Sequence, residues 1–461
     1  MPDAGRRDRP EGLGSPLGRL RQLAEDTPAH RDRYVDLLRA VAILTVVVGH
    51  WVTSAVTVTD GRLGGVNALY VVPWAQWATW LFQVMPVFFL VGGYANTASL
   101  DEHRRSGGTA TAWVQSRALR LLRPTAVFVV VLVVGYAAAL ALGADARVAR
   151  TSVWLAGIAL WFLVVYLAVV ALAPTCIDWQ RRWGAGAILT LVALVAAGDV
   201  ARVVTGSDVP ATGSYVVGWL AVHQLGVAWR DGVLTRTRRP ASVLAGGGLG
   251  TAAVLVAWGP YGVTMVGAAP PPDLGNADPP TLALLALAAS QTGVVLLLSP
   301  VITPWLERLR VWMVVVALNA VILTIFLWHM VPVVIAGVTL MGSGLFPQPE
   351  VGSGEWFALR VPWLLVLAVL LTLLVAVLAR FETSTGRRRE GTAHPVAVGA
   401  GVVACVAALA GLGVTGTEGV LPPVAGLPVG ELVLFGTGLT VLARADGSRP
   451  WPRRDPSRRG G

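Results

Sequence analysis

The chain has 461 residues, of which 55% are hydrophobic and only 13% are charged, with a formal net charge of +10 and a mean hydropathy of +0.65. A soluble protein of this length needs more charge to cover its surface, so the composition excludes a soluble enzyme and indicates a polytopic membrane protein. Two cysteines, Cys176 and Cys405, give neither a disulfide framework nor a metal-binding spacing. In a membrane protein the positive charge indicates loops beside anionic lipid before it indicates nucleic acid.

The first part of the chain differs from the rest in composition. Residues 1–33 mix Arg, Pro, Gly and acidic residues without a sustained apolar run, which predicts a disordered cytoplasmic tail. No signal peptide is expected, because the first apolar segment starts late and no small-residue cleavage site follows it.

Twelve later segments are apolar over the length needed to cross a hydrocarbon core of ~30 Å. The sequence therefore predicts an all-α fold, a polytopic membrane helical bundle. The segments are 37–58, 74–99, 124–143, 151–173, 184–204, 213–230, 241–268, 281–304, 312–341, 356–380, 393–414 and 424–443.

Arginine supplies all 36 basic residues, and its distribution predicts the orientation of the chain. With the N-terminus inside, 31 arginines fall on the inner side and five on the outer side. Both termini are therefore expected on the cytoplasmic side of a multi-pass protein of the cytoplasmic membrane. The five outer arginines are Arg62, Arg147, Arg150, Arg202 and Arg360.

An arginine and a histidine share the first apolar segment, RYVDLLRAVAILTVVVGHWVTSAV. At ~100° per residue, the eleven steps from Arg39 to His50 return to nearly the same helical face, ~16 Å further along. An ionisable group inside a spanning helix is costly, which makes His50 a candidate functional residue. Asp36 lies three residues before Arg39 and can pair with it. A cytoplasmic anchor at the membrane surface is the alternative for Arg39, but it accounts for Asp36 less well.

Two further histidines fall inside predicted spans, His223 in WLAVHQLGVAW and His329 in TIFLWHMVP. An imidazole at that depth can accept a proton from a hydroxyl. The alternative is a histidine that only joins two helices by a hydrogen bond, and we favour that interpretation for His223.

A stripe of arginines precedes the third span, in WVQSRALRLLRPT. Arg117, Arg120 and Arg123 recur every three residues, so consecutive members share a helical face. Planar guanidinium groups suit phosphate, so the stripe is a candidate site for a phosphorylated donor. A loop that contacts lipid headgroups is the alternative.

The second span contains MPVFFLVGGYANTASL. Gly92 and Gly93 permit the close approach of a neighbouring helix or of a ligand, and helix packing is the favoured interpretation. Tyr94 and Asn96 follow near the inner end of the span and are candidate substrate contacts.

Five of these motifs, in this order, resemble the acyltransferase-3 family, the integral membrane acyltransferases that include O-antigen and other surface-polysaccharide O-acetylases. The motifs are DLLRAVAILTVVVGH, MPVFFLVGGY, RALR, LWFLVVYLAV and IFLWHMVP, and they cover about residues 33–380. The predicted organisation is a disordered cytoplasmic tail (1–33), a ten-helix acyltransferase-3-like domain (34–380), a cytoplasmic linker (381–392), two additional C-terminal transmembrane helices (393–443) and a disordered cytoplasmic tail (444–461).

The resemblance implies a role for each matching residue. His50 is expected to be the catalytic base or the acyl-accepting residue, Arg39 with its neighbour Asp36 to support it or the donor, and His329 to be an auxiliary site residue. The RALR match implies that Arg117 and Arg120 bind the donor. The proline falls one position late for this motif, which leaves Arg120 with Arg123 as the other possible pair.

The resemblance also implies the reaction. Acyl-CoA is the expected donor substrate, with no bound cofactor or metal, and the acceptor is a hydroxyl of an envelope glycan, a glycolipid or an exported small molecule. Membrane lipid is an expected partner and nucleic acid is not. A twelve-span transporter or lipid flippase without covalent chemistry is the main alternative, and the absence of an internal repeat weighs against it.

Overall fold

The computed structural model describes residues 16–28, 31–59, 62–267, 273–380, 393–415 and 427–445. Within these ranges the chain is a bundle of α-helices with one β-hairpin, which confirms the predicted fold class. The hairpin pairs β1 (Ser54–Thr59) with β2 (Arg62–Asn67) in antiparallel register.

The helices follow in chain order. They are α1 (Pro16–Glu25), α2 (Arg33–Thr53), α3 (Ala68–Val71), α4 (Ala75–Phe82), α5 (Met85–Arg105), α6 (Ala110–Ala141), α7 (Ala146–Ala156), α8 (Leu160–Trp183), α9 (Ala185–Thr205), α10 (Ser214–Arg230), α11 (Arg238–Trp258), α12 (Leu282–Ile302), α13 (Leu309–Ala320), α14 (Ile322–Trp328), α15 (Val331–Ala336), α16 (Gly354–Leu378), α17 (Pro395–Thr415) and α18 (Val429–Arg444).

Each of the twelve predicted spans contains helix. Ten helical stretches of the described chain are long and apolar enough to cross a membrane. The sixth and twelfth predicted spans coincide with α10 and α18, which have 17 and 16 residues. At 1.5 Å per residue these two helices extend about 26 and 24 Å, a little less than the hydrocarbon core.

The first and seventh spans are shorter than predicted. Helix α2 ends at Thr53, because the β-branched alternation of SAVTVT favours an extended strand over further helix. The amide of Ser54 still donates to the His50 carbonyl and closes the last turn of the helix. Helix α11 ends at Trp258, just before Gly259 and Pro260, two residues that disfavour helix.

The ninth predicted span, 312–341, is broken into pieces. Helix α13 ends at Ala320, α14 ends at Trp328, and α15 begins at Val331. Pro332 has no amide hydrogen to donate to the Trp328 carbonyl four residues earlier, so a continuous helix would lose a hydrogen bond there. His329 therefore lies at a local break within the membrane-length helical stretch Ile322–Met341.

The structure corrects the prediction of disorder for part of the N-terminal tail. Pro16–Glu25 forms α1, which packs against α13. Leu20 and Ala24 are one helical turn apart and face the core, with Ala24 only 1% exposed. The Trp312 indole also donates to the Thr27 hydroxyl at 2.8 Å. Residues 1–15, the predicted linker 381–392 and residues 446–461 of the predicted C-terminal tail lie outside the described residues.

Helices α5 and α10 cross at the closest distance that their backbones allow. A Cβ atom added at Gly93 would lie 1.9 Å from the His223 carbonyl oxygen, and one added at Gly226 would lie 2.0 Å from that of Leu90. A Cβ at Gly92 would instead meet the Tyr166 ring at 3.3 Å. The packing interpretation of the glycine pair is confirmed for Gly93.

An alanine at this crossing tests the packing directly. Gly93→Ala is expected to lower the free energy of unfolding by at least ~2 kcal/mol, because a backbone carbonyl cannot move away without separating the two helices. Gly135→Ala is the matched control, since its new Cβ meets nothing within 4 Å. The measurement is thermal unfolding in detergent, and equal midpoints for the two variants would contradict the close crossing.

Candidate active site

Helix α2 carries three of the predicted site residues along one continuous helix from Arg33 to Thr53. The Asp32 carboxylate caps its first turn by accepting from the amides of Tyr34 and Val35 at 3.0 and 3.1 Å. A carboxylate at this position also interacts favourably with the helix dipole. The unbroken helix fixes Arg39 at one end and His50, about 16 Å away, near the other.

The predicted pairing of Asp36 with Arg39 is confirmed. Asp36 is 5% exposed, and its carboxylate accepts from Arg39 Nη1 at 2.8 Å. Arg31 Nε donates to the other carboxylate oxygen at 2.5 Å, a contact that the sequence pattern did not predict. The Asn319 amide binds the Asp36 carbonyl oxygen at 3.0 Å and ties α13 to this turn. The ion pairs orient Arg39 and leave part of its guanidinium exposed.

His50 and His329 meet, although 279 positions separate them in the chain and neither motif by itself predicts the contact. Their ring centroids are 5.1 Å apart, with the planes at 72°. His329 is fully buried, whereas His50 is partly exposed. The Trp51 indole donates to the His329 carbonyl oxygen at 2.6 Å, which holds the helix break against α2.

The partners of each ring define what these histidines can do. His329 Nδ1 lies 2.6 Å from the Phe326 carbonyl oxygen. A carbonyl oxygen only accepts, so Nδ1 carries the hydrogen and Nε2 keeps the lone pair in the neutral ring. That Nε2 atom is buried and has no partner among the described residues. Neither ring nitrogen of His50 has a hydrogen-bonding partner there either.

His223 is different, because both of its ring nitrogens are used. Asn96 Nδ2 lies 3.3 Å from Nε2, and Nδ1 lies 3.4 Å from the Gln224 amide oxygen. The Gln224 amide nitrogen in turn donates to the Cys176 carbonyl at 2.5 Å. These bonds join α5, α10 and α8, as expected for a histidine that fastens helices.

Tyr94 and Asn96, which the sequence suggested as substrate contacts, belong to the interfaces between helices. Asn96 is 1% exposed, and its side-chain amide lies against His223. The Tyr94 hydroxyl donates to the Asp32 carboxylate at 3.0 Å and links α5 to the start of α2. Both side chains position helices in the structure.

The arginine stripe begins about two turns inside α6. Arg117 is partly buried above the Trp113 ring, 5.5 Å from its centroid, whereas Arg120 and Arg123 are exposed. Arg117 interacts electrostatically with Arg39 and Arg120 and with Tyr166. The stripe therefore lies within electrostatic range of the end of α2 that carries Arg39.

Other arginines at this end of the bundle are paired with carboxylates. Arg104 forms two hydrogen bonds with Asp178, and Arg181 bridges Asp101 and Asp231. In contrast, Arg117, Arg120 and Arg123 form no ion pair with any described residue. We call the end that carries both sets the arginine-rich end. Its unpaired guanidinium groups are available to an anion.

An aromatic cluster occupies the space between the histidines and the stripe. The Phe326 ring lies 5.9 Å from His329 and 5.0 Å from Phe162, and Phe162 stacks on Tyr166 at 5.5 Å. Tyr166 extends this cluster of rings toward the arginine stripe, because it lies beside Gly92 and close to Arg117. Tyr166 and Phe326 belong to LWFLVVYLAV and IFLWHMVP, but neither motif by itself predicts that they neighbour the site. The described residues hold no group of three or more His, Cys, Asp or Glu side chains that suits a metal ion.

A family model described as an acyltransferase domain, Acyl_transf_3, matches residues 32–381. The chain belongs to the acyltransferase-3 family. It is therefore a multi-pass membrane acyltransferase. The match extends from the start of α2 to the end of α16, so α17 and α18 of this acyltransferase lie beyond it. No curated protein and no solved structure matches the chain.

The Trp51 hydrogen bond gives a test of how the two histidines are held together. Trp51→Phe keeps most of the ring but removes the donor to the His329 carbonyl, so it is expected to lower the free energy of unfolding by about 1 kcal/mol. Trp77→Phe is the control, because Trp77 is exposed and its indole makes no hydrogen bond to a described residue. Thermal unfolding in detergent measures the stability of both variants. An unchanged midpoint for Trp51→Phe would show that this hydrogen bond does not hold the helix break at His329 against α2.

Proposed function

We propose that this acyltransferase moves an acyl group, most simply acetyl, from acyl-CoA to a hydroxyl of an envelope glycan, a glycolipid or an exported small molecule. The observation that carries the proposal is the exposure and the free ring nitrogens of His50 within the described chain. It is a partly exposed imidazole inside a spanning helix, in contact with His329 and without a hydrogen-bonding partner among the described residues. A polar group left unpaired at membrane depth is costly, which is reasonable where the group must meet a substrate.

The donor is expected at the arginine-rich end. The phosphates of coenzyme A are anionic, and Arg117 and Arg120 are neighbouring guanidinium groups without carboxylate partners among the described residues. We favour this pair over Arg120 with Arg123, because Arg117 is the partly buried member and interacts electrostatically with Arg39 and Tyr166. From the excess of arginine we infer that this end and both termini are cytoplasmic, on the side where acyl-CoA is available.

His50 is the proposed general base. It removes the proton of the acceptor hydroxyl as that oxygen attacks the thioester carbonyl carbon. The carbon–sulfur bond then breaks, and the coenzyme A thiolate leaves with the proton that His50 took. The alternative route forms an acyl bond to a His50 nitrogen first and transfers the acyl group to the hydroxyl afterwards. Both routes need a free His50 nitrogen.

His329 is proposed to stabilise the protonated His50 ring. Its Nδ1 hydrogen is committed to the Phe326 carbonyl, so its Nε2 lone pair is left facing a buried environment. A lone pair beside His50 favours the imidazolium that forms during proton transfer. Asp36 contributes indirectly, by orienting Arg39 at the other end of the same helix.

A donor-cleavage assay tests the role of His50. Wild-type protein in nanodiscs, incubated with labelled acetyl-CoA and a crude glycolipid acceptor fraction, is expected to release free thiol and label the acceptor. His50→Gln is expected to reduce the rate by about 10²–10⁴-fold, the usual contribution of a general base. His394→Gln, at an exposed position, is the control. Label trapped on wild type but not on His50→Gln would select the acyl-histidine route, and a normal rate in a folded His50→Gln would refute both routes.

A second assay tests the arginine stripe. Arg117→Gln is expected to raise the KM for acetyl-CoA by about 10–100-fold, with a smaller effect on kcat, because a charge-assisted phosphate contact contributes ~1.5–3 kcal/mol. Arg182→Gln is the matched control, an exposed arginine at the same end without an ion pair to a described residue. The same loss in both variants would indicate a general effect of charge and would contradict a specific donor site.

A further inference from the structure

A second polar feature lies at the opposite end of the bundle, where the β1–β2 hairpin packs against α16. A cavity of about 240 Å³ opens there between the hairpin, the loop before α16 and the first two turns of α16. We call it the Arg360 pocket. Its lining includes Val56, Thr57, Pro347, Glu350, Trp356 and Arg360.

Arg360 is buried without a charge partner. It is 8% exposed, and its guanidinium lies 4.2 Å from the centroid of the Trp356 ring. One nitrogen, Nη1, donates to the Ser54 carbonyl at the long distance of 3.4 Å, and Nε has no partner. No carboxylate of the described residues forms an ion pair with it, and Glu350 is an exposed residue at the rim.

Another buried arginine shows the usual arrangement. Arg202, on α9, is 4% exposed, and its Nε donates to Asp208 at 2.7 Å. Removing a cation from water costs several kcal/mol unless a counter-charge or a set of good hydrogen bonds offsets it. Arg202 has that compensation and Arg360 does not. An anion in the pocket would supply it.

The pocket is close to the proposed catalytic histidine. Arg360 binds the Ser54 carbonyl, and the Ser54 amide donates to the His50 carbonyl. Ser54 is therefore about one helical turn, roughly 5 Å, beyond His50 along α2. The arginine-rich end lies on the other side of His50. A group held in the Arg360 pocket would approach His50 from the side opposite to the donor.

We propose that the Arg360 pocket binds an anionic oxygen group, a carboxylate or a phosphate, of the acyl acceptor. This inference rests on the proposed function and adds the charge of its substrate. The pocket is smaller than the ~300–1,000 Å³ of sites for drug-sized ligands, which fits one sugar unit or one headgroup. Val56, Pro347 and Trp356 give it apolar walls, and Arg360 is its buried cation.

Binding to protein in phosphatidylcholine nanodiscs tests the proposal without acyl transfer. Glucose 1-phosphate or glucuronate is expected to bind wild type, and neutral glucose is not. Arg360→Gln is expected to weaken binding at least tenfold, whereas Arg360→Lys retains part of it. Arg150→Gln, an exposed arginine expected on the same side, is the control. Equal affinity in wild type and in a folded Arg360→Gln would overturn the proposal.

A second arm separates a free saccharide from a lipid headgroup. In nanodiscs that contain phosphatidylglycerol, retention of this lipid by wild type but not by Arg360→Gln, without binding of the soluble probes, would identify a lipid-linked acceptor. Binding of the soluble probes would identify a free saccharide. If wild type binds neither the soluble probes nor phosphatidylglycerol, the proposal of an anion site is refuted.

A wild-type measurement covers the case in which Arg360→Gln does not fold. Phenylglyoxal modifies accessible guanidinium groups, and mass spectrometry reports the fraction modified at each arginine. Glucose 1-phosphate, or phosphatidylglycerol in the lipid arm, is expected to protect Arg360 and to leave Arg150 unprotected. Equal modification of Arg360 with and without both anions would refute the site.

The failure of this inference is distinguishable from that of the proposed function. Thiol release from acetyl-CoA with the crude acceptor fraction depends on His50, whereas anion binding at Arg360 is measured without acetyl-CoA. An Arg360→Gln variant with wild-type KM for acidic acceptors and normal thiol release would refute the pocket alone. Anion binding at Arg360 in a protein that never cleaves any acyl-CoA would refute the acyltransfer mechanism and leave the pocket standing.

Discussion

In the hydrocarbon core of a membrane a polar group has no water to bind, so it must find a partner in the protein or be reserved for a substrate. This constraint divides the polar residues of the bundle into two kinds. Asn96, His223 and Gln224 bind one another and the Cys176 carbonyl, which joins three helices. His50 and Nε2 of His329 remain without partners in the described chain. The first kind builds the architecture, and the second marks the places where another molecule is expected.

The same distinction applies to the arginines. Arg104 and Arg181 are held by carboxylates and lock α5, α8 and the end of α10 together. Arg117, Arg120 and Arg360 lack such partners among the described residues. These unpaired cations lie toward opposite ends of α2, with His50 between them. Such an arrangement suits a reaction in which an anionic donor and an anionic acceptor reach one imidazole from two sides.

Helices α17 and α18, beyond the family match, pack on α8 and α6. Helix α17 contacts α8, and the Gln115 side chain of α6 donates to the Leu442 carbonyl of α18 at 2.8 Å. The two helices meet each other through small residues, with Gly401 and Gly438 too close for a Cβ atom. Helices α17 and α18 therefore pack against α6, the helix that carries the arginine stripe.

Local periodicity accounts for what the sequence by itself determined. Apolar runs of membrane length predicted helix in all twelve positions, the eleven-residue spacing predicted the alignment of Arg39 with His50, and the three-residue spacing predicted the ion pair of Asp36 with Arg39. Each of these depends on residues within one helix, where 3.6 residues per turn fixes which side chains share a face.

Only the tertiary structure decided which helices meet. It placed His329 against His50, brought Arg117 within electrostatic range of Arg39, and left Arg360 buried beside Ser54. Contacts such as that of His50 with His329 join residues hundreds of positions apart. They depend on close crossings at residues such as Gly93 and on the helix break before Pro332, and helical periodicity within one segment carries no information about its partner.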